Sequence, residues 1–129
     1  IAYWLEKGGP NSGEIHIDGR HISGTDPGII TSFWPMGHKV RPNAPITDNK
    51  MNMDELRTIV KDSIEHGSMK QEVDRYGNIK FVFDRTLDSE QYGVKKVRTV
   101  TDSSGKIITS YPMEGSSVLQ YSDKYQKMI

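Results

Sequence analysis

At 129 residues the chain carries one domain's worth of core, too little to divide in two. Lys+Arg and Asp+Glu number 17 each, for a formal net charge of zero, so the global positive field of a strongly basic nucleic-acid binder is excluded and any polyanion site is local. The absence of cysteine excludes a disulfide framework, thiolate metal ligation and a cysteine nucleophile. No window approaches about 18 apolar residues and no charged, apolar leader opens the chain, which predicts a soluble protein without a membrane span. The first residue is Ile1 rather than methionine, as expected of a fragment or a processed form.

In chain order, Ile1, Ala2, Tyr3, Trp4 and Leu5 form a short apolar cluster that breaks at Gly8-Gly9-Pro10-Asn11-Ser12-Gly13, so residues 1–13 read as a lead-in segment. From Glu14 to Gly24, Ile15 and Ile17 alternate with Glu14, His16 and Asp18, which predicts a half-buried strand ending at Asp18-Gly19. Residues 25–50 hold Pro27, Gly28, Pro35, Gly37, Pro42 and Pro45 without a sustained period and read as one long loop. Asn52 with Glu55 three residues on, then Leu56, Ile59, Val60 and Ile64 at helical spacing and Gly67 at the stop, predict a capped amphipathic helix near 53–66. The period then changes to two, with a hairpin at Tyr76-Gly77-Asn78 before Ile79, Phe81 and Phe83. Residues 94–101 and 106–111 flank the turn Asp102-Ser103-Ser104-Gly105, and Pro112 ends the second strand. Val118, Leu119, Tyr121 and Tyr125 are weakly spaced, as in a short helix or a loose end.

One helix followed by antiparallel strands predicts an α+β fold: a sheet of about four strands with one main amphipathic helix packed on it. It is read as a single domain over 1–129, with 1–13 leading in, 14–112 as the catalytic core and 113–129 as a C-terminal tail.

His66 falls in the last helical turn, where the macrodipole favours a cation, and needs no further role. His16 and His21 flank Gly19-Arg20, a spacing that matches no familiar zinc motif. Histidine exchanges protons near neutrality and Arg20 offers a forked anion-binding group. The simpler reading is that these are ordinary surface or core residues. The glycines of 24–28 lack the strand, helix and lysine of a phosphate loop.

In the last strand pair Val94, Lys96, Arg98 and Val100 share one face, and Lys95, Val97, Thr99 and Thr101 the other. With Thr101 opposite Lys106, Val100 faces Ile107, Arg98 faces Thr109 and Lys96 faces Tyr111. That register predicts a polar patch of Lys96, Arg98, Thr109 and Tyr111, with Val97, Thr99 and Ile108 behind it. A solvated outer face is the bland alternative.

The succession HIDGRHISG, MNMDELRTIVKDSIEHG, IKFVFD and VKKVRTVTDSSGKIITSYP resembles, over about residues 14–112, the C-terminal toxin domains of contact-dependent growth inhibition and related polymorphic toxin systems. The likeness is to the ribonucleases grouped with barnase, EndoU, colicin D and RelE. The resemblance implies metal-independent and cofactor-free RNA cleavage, often of tRNA, by a monomer that a dedicated immunity protein neutralises. It also implies delivery from a cell surface or by secretion into a target-cell cytoplasm. Carried over by residue, the early histidine matches His21 with His16 as competitor, the sheet cation matches Arg98 or Lys96, and the strand hydroxyl matches Thr109 beside Tyr111.

The expected chemistry is attack of a 2′-hydroxyl on the adjacent phosphorus. His21 serves as acid or base, Arg98 and Lys96 face the phosphoryl oxygens, Thr109 hydrogen-bonds the phosphate, and Tyr111 stacks a base or donates a proton, with Arg20 binding substrate. Two rival readings are a noncatalytic nucleic-acid or protein binding module and a metal-dependent nuclease built on His16, Asp18 and His21.

Overall fold

The strongest local signal in the chain becomes the helix at its centre. In the structure, a computed structural model that describes residues 1–25, 28, 30–40, 46–122 and 126–128, this helix runs Met53–His66. Asn52 accepts from the Glu55 amide at 2.9 Å while the Glu55 carboxylate accepts from the Asn52 amide at 3.0 Å, a complete capping box, and Gly67 stands at the C-terminus. Asn52→Ala is expected to cost about 1 kcal/mol in urea unfolding; an unchanged midpoint would mean that water replaces the cap at no loss.

An earlier helix lies at Gly13–His21, where a strand was expected, and it is α1; the capped helix is α2. The alternation of Ile15 with Ile17 is incidental, since Ile15 is 43% exposed. The buried stripe is Gly13, Ile17 and His21, spaced four apart as on a helix face. A histidine stands where the apolar periodicity would place a hydrophobic residue, which hid the helical period.

The strands are β1 (Ile30–Phe33), β2 (Ser68–Val73), β3 (Ile79–Thr86), β4 (Lys96–Asp102), β5 (Ile107–Glu114), β6 (Leu119–Ser122) and β7 (Gln126–Met128). Strands β2-β3-β4-β5 form the four-stranded antiparallel sheet of an α+β fold, and a smaller sheet has the order β1-β6-β7. The stretch read as one long loop therefore contains β1, and the stretch read as a helix or loose end contains β6, paired to β1 from Ile30↔Ser122 to Phe33↔Leu119. Pro27, Pro42, Pro45 and Tyr125 lie outside the described residues. Pro112 does not stop β5: on a sheet edge its missing N–H costs no ladder bond, and its carbonyl takes the Ser32 hydroxyl at 2.6 Å. With Trp34 Nε1 on the Ser110 carbonyl at 3.2 Å, side chains from and beside β1 cover the edge that β5 would expose.

The buried face of the large sheet meets α2. Leu56, Ile59 and Val60 pack with Ile17, Ile22, Trp34, Val97, Ile107 and Val118, and Ile64 sits at the margin. Polar groups within this layer are paired in sequence. The Ser63 hydroxyl donates to the Val60 carbonyl at 2.6 Å, so Thr99 Oγ1 donates to Ser63 Oγ at 2.7 Å and Ser110 donates to Thr99 at 2.9 Å. Thr99→Val would take the acceptor from the Ser110 hydroxyl and leave Ser63 with its Val60 bond alone, and a loss of about 1–3 kcal/mol in denaturant unfolding is expected.

The β4–β5 register differs from the expected one but keeps Arg98, Thr109 and Tyr111 on one face. Ile107, expected there opposite Val100, instead pairs with Thr101 and is buried in the core, and Ile108, expected on the opposite face, is half-buried at a bulge. Thr101 pairs with Ile107, Val100 with Thr109 and Arg98 with Tyr111, with an extra residue, Ile108, at a bulge. The turn moves the pairing by one residue, which alone would have sent Thr109 to the buried face; the bulge moves it by one more and restores the parity. Arg98, Thr109 and Tyr111 therefore stay on the half-buried side, opposite Val97, Thr99 and Ser110, which are inaccessible. Val94 precedes β4 and belongs to the core rather than to the Arg98 face.

Candidate active site

Helix α1 lies against β5 and β1, and the groove between them is the centre of interest. A cavity of about 390 Å³ is lined by His16, Arg20, His21, Thr31, Ser32, Thr109, Tyr111 and Gln120. Five residues singled out in the sequence, from positions 16 to 111, thus meet at one concave surface. Thr31, Ser32 and Gln120 were missed because their strands were read as loop and tail. The signal for β1 was present as the β-branched run before Ser32, bounded by Gly28 and Pro35.

His21 is 7% exposed. Its Nδ1 lies 2.9 Å from the Ser32 carbonyl, and since a carbonyl only accepts, Nδ1 carries the hydrogen and Nε2 the lone pair. Thr31 Oγ1 stands 3.3 Å from the same nitrogen and donates to the Arg20 carbonyl. Burial is the main reason that the His21 pKa drops to about 4, with His16 and Arg20 adding repulsion against the Ser32 hydrogen bond. At neutral pH His21 is an uncharged base with one open nitrogen. The Tyr111 ring stacks on it at 5.0 Å and 25°.

His16 is half-buried and stands edge-on to His21, ring centroids 6.4 Å apart. Its Nδ1–H donates to the Pro10 carbonyl at 2.8 Å, which again leaves Nε2 for chemistry. Two polar atoms of this cavity's lining are buried without a hydrogen-bond partner among the described residues, Arg20 Nε and Thr109 Oγ1. Such orphaned groups cost about 1–3 kcal/mol each unless something arrives to satisfy them.

Arg98 and Lys96 do not join this group. Arg98 Nε and Nη2 grip Asp84 at 2.7 and 2.9 Å, which holds the Asp84 carboxyl below its ordinary range and raises Arg98. A half-buried bidentate pair of this kind is committed to its partner and is not a free phosphate clamp. Arg98 stands directly opposite Tyr111 in the β4–β5 register, and Tyr111 rather than Arg98 lines the cavity. Lys96 opens β4, opposite Glu114 in the backbone register, and is not part of the cavity lining. The forked cation beside His21 is Arg20. Asp18 is also absent from the lining, since it accepts from Ser23 Oγ at 3.2 Å, and among the described residues no three His, Asp or Glu side chains converge as metal ligands would.

A larger cavity, about 470 Å³, is bounded by Trp4, Leu5, Val60, Ile64 and Ile107 with Glu14, Arg57, Lys61 and Glu65 at its rim. Its charges are engaged with one another, Arg57 with Glu14 at 2.6 Å and Lys61 with Glu65 at 3.8 Å. It contains no orphaned group and no histidine, so size is a poorer guide here than chemistry.

Comparison with family models, with curated proteins and with solved structures finds no match. Among the described residues no helix is long and apolar enough to cross a membrane.

Proposed function

We propose that the chain is an endoribonuclease that cleaves RNA by transesterification. The observation that carries this reading is the pair of histidines at one cavity, each with Nδ1–H tied to a backbone carbonyl and Nε2 left open, one buried and neutral, the other half-buried. His21 Nε2 takes the proton from a ribose 2′-hydroxyl as its oxygen attacks phosphorus. The bond from phosphorus to the 5′-oxygen breaks, and that oxygen takes the Nε2 proton of a His16 that enters the step as the imidazolium, its Nδ1–H remaining on the Pro10 carbonyl. The products are a 2′,3′-cyclic phosphate and a 5′-hydroxyl, and the proton borrowed by one imidazole is balanced by that lent by the other.

Arg20 and the Thr109 hydroxyl face the phosphoryl oxygens, where charge accumulates in the transition state. The role that the sequence suggested for Arg98 thus moves to Arg20, and Arg98 with Asp84 braces Tyr111. The resemblance to toxin ribonucleases adds a context: tRNA as the substrate, a target bacterium as the place of action, and an immunity protein as the partner that covers the groove.

The test is incubation of total RNA with the purified protein in the presence of a chelator, followed by sequencing of the ends. Cleavage leaving cyclic phosphate and 5′-hydroxyl termini is expected. RNA that is shifted on a gel but intact would point to a binding module instead, and activity lost to the chelator would point to a metal-dependent nuclease.

A further inference from the structure

The first dozen residues do more than lead into the fold. Trp4 adds a parallel bridge to the start of β5, its amide donating to the Gly105 carbonyl at 3.1 Å and its carbonyl accepting from Ile107 at 2.9 Å. Tyr3 sets its ring edge-on to Phe83 at 5.2 Å. From that anchor the chain turns back over the N-terminus of α1. The Ser12 side chain caps nothing; instead the Glu6 and Lys7 carbonyls accept from the amides of Glu14 and Ile15, each at 2.9 Å. These are first-turn donors that have no partner within a helix. The turn closes with the Gly9 amide on the Ser12 carbonyl at 3.0 Å, and it presents the Pro10 carbonyl to His16 Nδ1 at 2.8 Å.

We propose that residues 1–12 form a positioning strap for the proton-donating histidine: the Pro10 carbonyl holds the His16 Nδ1–H, so that in the imidazolium the Nε2–H faces the cavity and is given up, leaving the neutral Nδ1–H tautomer. A carbonyl partner on one imidazole nitrogen decides which nitrogen exchanges protons and orients the ring. His16 is only half-buried, and among the described residues no other hydrogen bond orients it, whereas His21 is held by burial, by Ser32 and by the Tyr111 stack. The strap thus acts on one member of the pair and not on the other. This inference rests on the acid–base reading above.

The turn geometry supplies a way to disturb the strap without touching the cavity. Gly8 has φ +69°, and a Cβ there would stand 2.1 Å from the Ser12 carbonyl oxygen; Gly13 has φ +82°, and a Cβ there would stand 2.7 Å from the Glu6 oxygen that caps the helix. Both obstacles are backbone atoms, so the strap must move. Gly8→Ala, with Gly13→Ala as a second variant, is assayed on an RNA containing the mapped cleavage site and on the same RNA with sulfur in place of the 5′-bridging oxygen, a leaving group that needs no proton.

His16→Ala should slow the oxygen substrate by about 100-fold and the sulfur substrate by less than about tenfold. Gly8→Ala should follow the same pattern with a loss of about tenfold on oxygen and little on sulfur, while His21→Asn should lose equally on both. In the unsubstituted protein, nitrogen chemical shifts of neutral His16 should report hydrogen on Nδ1, and in Gly8→Ala a mixture of tautomers. Relief by sulfur in His16→Ala but not in Gly8→Ala, or hydrogen on Nε2 in the unsubstituted protein, would overturn the strap and leave the acid–base reading standing. Absence of relief in His16→Ala itself would overturn both.

Discussion

Replacing His21 is expected to lower the rate of RNA transesterification by about 10²- to 10⁴-fold, the usual worth of a positioned base. The choice of substitute matters because His21 is also a packing residue. Alanine would leave the Ser32 carbonyl without its donor and open space beneath Tyr111, so stability falls as well. A thermal midpoint within a few degrees of the unsubstituted protein is therefore not expected of His21→Ala, since the residue is only 7% exposed. His21→Asn is the sharper variant, since its amide can still donate toward Ser32 while lacking the basic Nε2. Loss of cleavage in His21→Asn with cooperative unfolding retained would assign the base. Near-normal activity in that variant, with activity lost in His16→Ala, would transfer the role to His16.

The second large effect concerns stability and pH. An unfolded-chain imidazole titrates near 6.5, and His21 in the fold at about 4 because it is buried. Between those values the unfolded chain binds a proton that the folded chain refuses, so acid favours unfolding. Stability is therefore full above about pH 6.5 and declines on acidification, the loss approaching roughly 3 kcal/mol at pH 4. Asp74, Asp84 and Asp102 are held below the ordinary carboxylate range, so their losses fall at lower pH and leave this window to His21. Urea unfolding at pH 7 and pH 4.5 should show a larger drop for the unsubstituted protein than for His21→Asn. Equal drops would mean that the His21 imidazole becomes charged inside the fold without penalty. The same depressed value predicts that the acid limb of kcat/KM lies near pH 4, well below that of a solvent-exposed histidine base.

Both expectations depend on an arrangement that was only partly legible before the fold was known. Helix α2 was legible in full, because its capping box, its apolar spacing and its terminal Gly67 are local features that agree with one another. The β2–β3 hairpin and the alternation along β4 were legible for the same reason, since side chains change face at every residue whatever the strand pairs with. That Arg98, Thr109 and Tyr111 share a face followed from alternation and an even count of displacements; the pairing itself did not follow, because the bulge at Ile108 has no sequence mark.

Helix α1 was hidden by its chemistry. Its buried stripe contains a glycine and a histidine where a core helix has aliphatic residues, and a site that must hold a base in a groove displaces the very pattern by which helices are recognised. Strands β1 and β6 were hidden by distance, since each is short and gains its stability from the other across the chain.

What the sequence by itself determined about this protein is its class, α+β, the capped helix, the strand faces, and the residue types competent for proton transfer and phosphate contact. Only the tertiary structure decided which of them meet. It set Arg20 rather than Arg98 beside His21, because Asp84 on the adjacent strand β3 engages Arg98 first. It made His21 neutral, because burial between α1, β1 and β5 is a property of packing. It also turned the lead-in segment into a partner of His16, since a carbonyl six residues away in sequence becomes a tautomer-setting acceptor only when the chain is folded back over the helix that carries it.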